Sequence, residues 1–236
     1  MKYYFEDRIR YSELDENLRL SLHGLINYFQ DCSIFQSEEL GIGVKYLEKE
    51  GKLWVLSSWQ IRIERYPSLG EQVRVGTWAC GFRGFTGMRN FVMETADGEV
   101  LAYAYSIWAY MDLKKGIPTR VMEEEAARYG VEKPLEMEYA GRKIRVPEQL
   151  GEEEPVTVHP QHLDSNHHVN NGQYVAIAQE YLPEGFEVRG LRAEYRQQAR
   201  LGDVMVPGTV QMDDTCVVVL NDRNGQPYVI VEFSRV

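Results

Sequence analysis

The chain has 236 residues, 44% of them hydrophobic and 26% charged, a globular composition with length for one large domain or two small ones. Its net charge of −10 argues against a nucleic-acid partner, and no run of about eighteen apolar residues is present to span a membrane. Cys32, Cys80 and Cys216 lie far apart and are odd in number, which suits a reducing cytosol rather than a disulfide framework.

Residues 1–7 lack the apolar core and cleavage site of a signal peptide, and they are not Arg/Ser-rich like a transit peptide. The expected location is therefore the cytoplasm. Residues 3–11 read as a first strand. Leu22, Leu25, Ile26 and Phe29 follow at helical spacing and predict a long helix, running through Cys32 and ended by Gly41 and Gly43. Residues 44–50 predict a short second helix closed by Gly51. From Leu53 the period becomes two. Val55, Ser57, Trp59, Ile61 and Ile63 face one way, and Gln60, Arg62 and Glu64 the other. Pro67 and Gly70 break that strand. Further strands are expected at 73–79, 85–94 and 100–111, with Asp97-Gly98 as a tight hairpin turn in which both residues take positive φ.

Residues 113–155 connect this half to the next. They predict a short helix at 122–129, then a stretch punctuated by Gly130, Pro134, Gly141, Pro147, Gly151 and Pro155, with a short strand at 143–146. After it the order of elements repeats. A strand at 156–158 leads to a polar stretch and a helix at 170–182. A meander follows at about 186–198, 203–211, 215–221 and 227–234. Leu69-Gly70-Glu71 recurs as Leu201-Gly202-Asp203, an offset of 132 (201 − 69), and Asp97-Gly98 as Asn224-Gly225, an offset of 127 (225 − 98). Two weak motifs in one order at nearly one offset suggest duplication. A sheet following a long buried helix wraps around it, and two such units can pair their edge strands and hide them.

The polar stretch at 163–174 concentrates the chemistry. Four of the five histidines, His159, His162, His167 and His168, lie in it or just before it. Tyr174, Ile177, Ala178 and Tyr181 then mark one face of a helix that starts near Asn170, a good cap. Asp164, Asn166 and His168 alternate, so in an extended segment they point the same way. A carboxylate, an amide and an imidazole then converge beside a helix end whose N–H groups can polarise a carbonyl. That set suits water attack on an ester-like carbonyl. The alternative is a polar loop that caps a helix and does no chemistry. A metal site is the weaker competitor, because Pro160 splits His159 from His162 and no Cys partner appears.

The run Asp164-Ser165-Asn166-His167-His168-Val169-Asn170-Asn171, followed by Tyr174, resembles the D-x-N-x-H-V-N-N-x-x-Y signature of acyl-acyl carrier protein thioesterases. Glu64-Arg65-Tyr66-Pro67 with Gly70, Thr77-Trp78, Gly87-Met88-Arg89, Ser106-Ile107-Trp108 and Glu194-Tyr195-Arg196 resemble other parts of the same family. The similarity runs from about residue 5 to about residue 205.

The resemblance implies an α+β fold: a tandem double hot-dog, two antiparallel sheets each wrapped around a long helix. Residues 1–130 would bind the acyl chain, 131–155 would link, and 156–236 would carry catalysis. Trp54, Trp59, Tyr103 and Tyr105 are candidates to line the acyl channel. The implied activity is hydrolysis of the fatty acyl thioester of acyl carrier protein, with no cofactor and no metal. Asp164 would orient or activate the water, and Asn166 and His168 would hold the water or the carbonyl. Gln198 and Asn170 are supporting candidates.

One departure matters. The plant members continue Glu-Tyr-Arg-Arg-Glu-Cys, where this chain reads Glu194-Tyr195-Arg196-Gln197-Gln198-Ala199. A cysteine nucleophile at 199 is excluded, and an amide at 198 cannot take a proton. Strict alternation would turn Gln198 away from the Tyr195 face unless a bulge intervenes. The absent transit segment favours a bacterial origin. Acyl carrier protein is acidic, so docking needs a local basic patch. The candidates are Lys114, Lys115 and Arg120, then Arg142, Lys143 and Arg145, then Arg192, Arg196 and Arg200. An acyl-CoA thioesterase, a dehydratase on the same scaffold, a non-catalytic acyl-binding module and a homodimer of the chain stay open.

Overall fold

Leu22, Leu25, Ile26 and Phe29 become the buried face of helix α1 (Leu22–Glu39) in the computed structural model, which describes residues 1–236. Burying side chains of that size contributes roughly 1.5–3 kcal/mol each. The Ser21 hydroxyl caps the helix by accepting the Gly24 N–H at 3.0 Å. Gly41, at φ +67°, takes the chain out of α1. Helix α2 (Val44–Glu50) follows, closed by Gly51 at φ +64°, a left-handed position that favours glycine.

The chain divides into two compact units, residues 1–57 with 61–139, and residues 58–60 with 140–236. The first contains β1 (Tyr3–Arg8), β2 (Lys52–Ile63) apart from its residues 58–60, β3 (Gln72–Arg83), β4 (Thr86–Thr95), β5 (Val100–Asp112), the short β6 (Ile117–Pro118) and helix α3 (Glu123–Tyr129). Its sheet runs β1-β3-β4-β5-β2, with β6 beside β5. Helix α1 lies against β3 and β1, and Phe29 meets Phe91 with ring centroids 5.3 Å apart. Phe91 stands opposite Ala104 in the register, so Tyr103 and Tyr105 point to the other face. There Tyr105 packs edge-on against Tyr139 at 4.7 Å. These two tyrosines therefore do not line the helix side of the sheet, where the small Ala102 and Ala104 give α1 room. Trp54 packs instead against Tyr110 at 4.6 Å and donates its indole N–H to the Tyr129 hydroxyl at 3.1 Å.

The second unit contains β7 (Gly151–Glu152), β8 (Val156–Thr157), α4 (Asn171–Gln179), β9 (Gly190–Tyr195), β10 (Val204–Met212), β11 (Thr215–Asn221) and β12 (Pro227–Ser234). Its sheet runs β9-β12-β11-β10-β7, antiparallel throughout, with β8 also on β10. Helix α4 lies against β11 and β12. It has 9 residues where α1 has 18 and stops short of the expected residue 182, ahead of Pro183, which cannot continue a helix. No helix of the chain is long and apolar enough to cross a membrane.

Two local expectations are corrected. Residues 143–146 form no strand. Ile144 is buried against Val217, Val219 and Ile230, but its N–H goes to the Glu194 carboxylate at 3.0 Å. A side chain, not a ladder, satisfies that backbone. In the hairpins, Gly98 and Gly225 take positive φ, while Asp97 and Asn224 do not. The Thr95 N–H bonds the Glu99 carbonyl and the Gly98 N–H bonds the Thr95 carbonyl. A turn closed by one left-handed glycine needs no second positive φ.

Candidate active site

The segment from Leu163 to Asn170 is not extended. Leu163 and Val169 form an antiparallel bridge, and the Asp164 N–H donates to the His168 carbonyl at 2.8 Å. The chain turns back at His167, whose φ is +60°. Asp164 holds the turn with its side chain: one carboxylate oxygen, Oδ1, accepts the N–H of Asn166 at 2.8 Å and that of His168 at 3.3 Å. Aspartate closes such turns because its short side chain reaches the backbone two residues on. The expectation of alternating side chains on one extended face is therefore wrong. Asp164, Asn166 and His168 are brought together by a tight loop, with Asn166 exposed and Asp164 and His168 half-buried. The second carboxylate oxygen, Oδ2, takes no part in the two loop bonds.

Asn170 ends the loop and caps α4, its side-chain oxygen accepting the Gly172 N–H at 2.8 Å. The Gln173 and Tyr174 N–H groups go to the Asn170 carbonyl. Much of the helix end expected to polarise a carbonyl is thus engaged by Asn170. His162 lies just upstream, with its ring 5.9 Å from that of His159. Burial and the His159 ring lower its basicity.

Gln198 lies on an exposed segment beyond the end of β9. The N–H groups of Arg196 and Gln197 both donate to the Tyr228 carbonyl, at 2.9 and 3.2 Å, the two-against-one pairing of a bulge. Strict alternation therefore breaks before residue 198. Ala199 is then fixed to the loop, since the Val169 N–H donates to its carbonyl at 3.0 Å. Its own N–H donates to the Tyr174 hydroxyl at 2.7 Å. The Tyr195 hydroxyl donates to the Asn171 carbonyl at 2.9 Å. Glu194, the neighbouring carboxylate, is buried and faces away from this arrangement. It accepts from Ile144 N–H and from the Arg196 guanidinium, with Arg142 3.7 Å away, so its work is to hold the 140–146 segment.

The sequence carries a second copy of this loop that its motifs did not reveal. Leu14-Asp15-Glu16-Asn17 precedes α1 as Leu163-Asp164-Ser165-Asn166 precedes α4, an offset of 149 (164 − 15). Leu14 and Leu20 form the matching bridge. Asp15 Oδ1 accepts the N–H of Asn17 at 2.9 Å and of Arg19 at 3.0 Å, and Leu18 takes the left-handed turn at φ +58°. The signal was present, but it sits 17 residues (149 − 132) away from the offset set by Leu69 and Leu201. The helical part of the first unit is longer.

The cysteines show no sign of activation. Burial pushes the Cys32 thiol up to about 12 and Cys80 to about 11, and it raises Cys216 as well. No group of three or more His, Cys, Asp or Glu side chains is placed to hold a metal ion.

Comparison with known proteins gives a consistent relationship. A family model described as the acyl-ACP thioesterase N-terminal domain matches residues 1–129, more than half of the chain. A chloroplastic acyl-[acyl-carrier-protein] hydrolase of Cuphea viscosissima is 28% identical over 214 residues, covering 84% of this chain and 52% of that protein. A chloroplastic palmitoyl-acyl carrier protein thioesterase of Gossypium hirsutum is 27% identical over 232 residues, covering 90% of this chain and 56% of that protein. The chain spans about half the length of the curated relatives it matches. A solved acyl-ACP thioesterase from Bacteroides thetaiotaomicron superposes with a TM-score of 0.90 at 21% identity, covering 99% of this chain and 97% of that one. The last likeness shows the fold, a tandem double hot-dog of α+β class. The chain belongs to the acyl-ACP thioesterase family.

Proposed function

We propose that the chain hydrolyses the thioester joining a fatty acyl chain to acyl carrier protein, releasing the free fatty acid and ending elongation. The observation that carries this reading is the pair of loops. Both hold one backbone with one aspartate and both carry an exposed asparagine, Asn17 or Asn166, but only the second has an imidazole, at His168. An imidazole exchanges protons near neutral pH and a guanidinium does not.

In the proposed reaction, Asp164 Oδ2 takes a proton from water, and the resulting hydroxide adds to the thioester carbonyl carbon. Asn166 and His168 donate to the carbonyl oxygen as it gains charge. The carbon–sulfur bond breaks, and the thiol of the carrier arm leaves with the proton. Asn170 fixes the helix behind the loop, and Gln198 supplies a hydrogen bond at its edge. The first unit receives the acyl chain. The partner is acyl carrier protein, and the setting is the bacterial cytoplasm.

The test is to incubate the purified chain with acyl carrier proteins and CoAs bearing acyl groups of varied length, following free thiol and free fatty acid together. Release of both from acyl carrier protein, in equal amounts, is expected. Tight acyl binding without thiol release would instead indicate a binding module, and turnover confined to CoA would reassign the substrate.

A further inference from the structure

The tie between Tyr174 and Ala199 has no counterpart in the first unit, although the places it joins do. Leu25 stands at the position of Tyr174, an offset of 149 (174 − 25), and Pro67 at that of Ala199, an offset of 132 (199 − 67). The bond that closes the loop is kept: the Leu20 N–H donates to the Pro67 carbonyl at 2.8 Å, as the Val169 N–H does to the Ala199 carbonyl at 3.0 Å. Proline carries no N–H, so a leucine opposite it leaves no donor unsatisfied. Ala199 carries one, fully buried, and a buried donor without an acceptor is costly. Tyr174, itself only 2% exposed, supplies that acceptor. Donor and acceptor are present together in one unit and absent together in the other.

The loop backbone therefore does not require the phenol. The phenol occurs only where the loop carries His168; the bulge is common to both units, since the Glu64 and Arg65 N–H groups donate to the Leu101 carbonyl at 2.9 and 3.1 Å as those of Arg196 and Gln197 do to the Tyr228 carbonyl. We infer that Tyr174 is a positioning residue for the hydrolysis proposed above. By taking the Ala199 N–H, its hydroxyl seats the segment bearing Gln198, and the Ala199 carbonyl in turn holds Val169, next to His168. This inference rests on the hydrolase reading. It also explains why the tyrosine sits four residues into the helix. That is the first turn, where the side chain leans back toward the loop.

The experiment uses the full chain and two variants, Tyr174→Phe and the double Tyr174→Leu, Ala199→Pro, which installs the pair the first unit uses. Three quantities are read: kcat and KM with one acyl carrier protein substrate, and amide exchange of the residue 199 N–H in wild type and Tyr174→Phe. Tyr174→Phe is expected to speed exchange at Ala199 and to lower kcat about tenfold with KM within about twofold, the scale of a small misplacement of reacting groups. The double variant is expected to recover kcat to within about threefold of wild type, because the donor is gone and the carbonyl anchor remains. A folded Tyr174→Phe with wild-type kcat overturns the inference, even if its melting point falls. A folded double variant with no recovery also overturns it, since the hydroxyl then acts on the substrate itself. Should the double variant not fold, kcat of Tyr174→Phe decides alone. A wild-type chain that releases no thiol fails the hydrolase reading instead.

Discussion

At position 19 the first unit holds an arginine where the second, at 168, holds a histidine, on loops whose backbones follow one path. The aspartate, the left-handed residue and the bridge are common to both. Those features belong to folding, because they persist in a loop that carries no imidazole. Among the features that differ are Leu18 against His167, Arg19 against His168, Leu25 against Tyr174, and Pro67 against Ala199. In the first unit Arg19 lies 3.9 Å from Asp15 and over the Tyr66 ring, so the charge is used to pack the loop. The comparison shows one job that Asp164 shares with Asp15, closing the loop, and leaves the second, the activation of water proposed for Asp164, to be tested. Closing the loop needs only an acceptor oxygen. Activating water needs a carboxylate.

Substitutions at matched positions test that separation. His168→Ala should lower kcat by about 10²-fold or more, the usual scale for a lost donor to a developing oxyanion. Arg19→Ala should leave kcat within about twofold. Asp164→Asn keeps an acceptor for the Asn166 and His168 N–H groups but removes the base, so a loss of about 10²-fold in kcat is expected in a folded protein. Asp15→Asn should leave turnover unchanged. Wild-type turnover in Asp164→Asn would reduce Asp164 to the loop-closing role of Asp15. Glu194→Gln should cost chiefly stability, because Glu194 faces the 140–146 segment.

A smaller effect concerns the partner. Lys114 and Lys115 are exposed, whereas Arg192 and Arg196 are held by Glu232 and Glu194. Charge reversal at Lys114 and Lys115 should raise KM for acyl carrier protein by about three- to tenfold and leave KM for a small acyl thioester unchanged. Equal changes in the two KM values would remove these lysines from docking.

Smaller still is the strain at the two turns. A left-handed leucine costs roughly 1–2 kcal/mol, and asparagine tolerates that conformation better. Leu18→Asn should therefore stabilise the chain by about 0.5–1 kcal/mol, read as a rise of a few degrees in Tm. No change in Tm would mean that Leu18 recovers the strain through packing. At the far end of the scale, changing Cys32, Cys80 and Cys216 to alanine should leave kcat of the folded protein unchanged. Their thiols stay protonated at neutral pH, and position 199 is an alanine. Loss of turnover traced to one thiol would require a covalent mechanism.

The sequence by itself determined the periodic parts. The apolar stripe of α1, the alternating strands, the glycine turns and the cap at Asn170 are local patterns, and each reappears within a few residues of its expected place. The run from Asp164 to Tyr174 also marked the candidate site, since it gathers the right side chains in a short stretch. Tertiary structure alone decided how that stretch folds. A positive φ at His167 or Leu18 leaves no mark in the sequence, so an extended segment and a tight loop look the same until the Asp164 and Asp15 bonds are seen. The ties of Ala199 to Tyr174 and of Ile144 to Glu194 join residues 25 and 50 positions apart, and no local period encodes them. Whether Gln198 follows the alternation of its strand depended on one carbonyl, that of Tyr228, accepting two N–H groups. Hydrogen bonds between distant segments fix such choices, because a buried donor must find its acceptor wherever the fold supplies one.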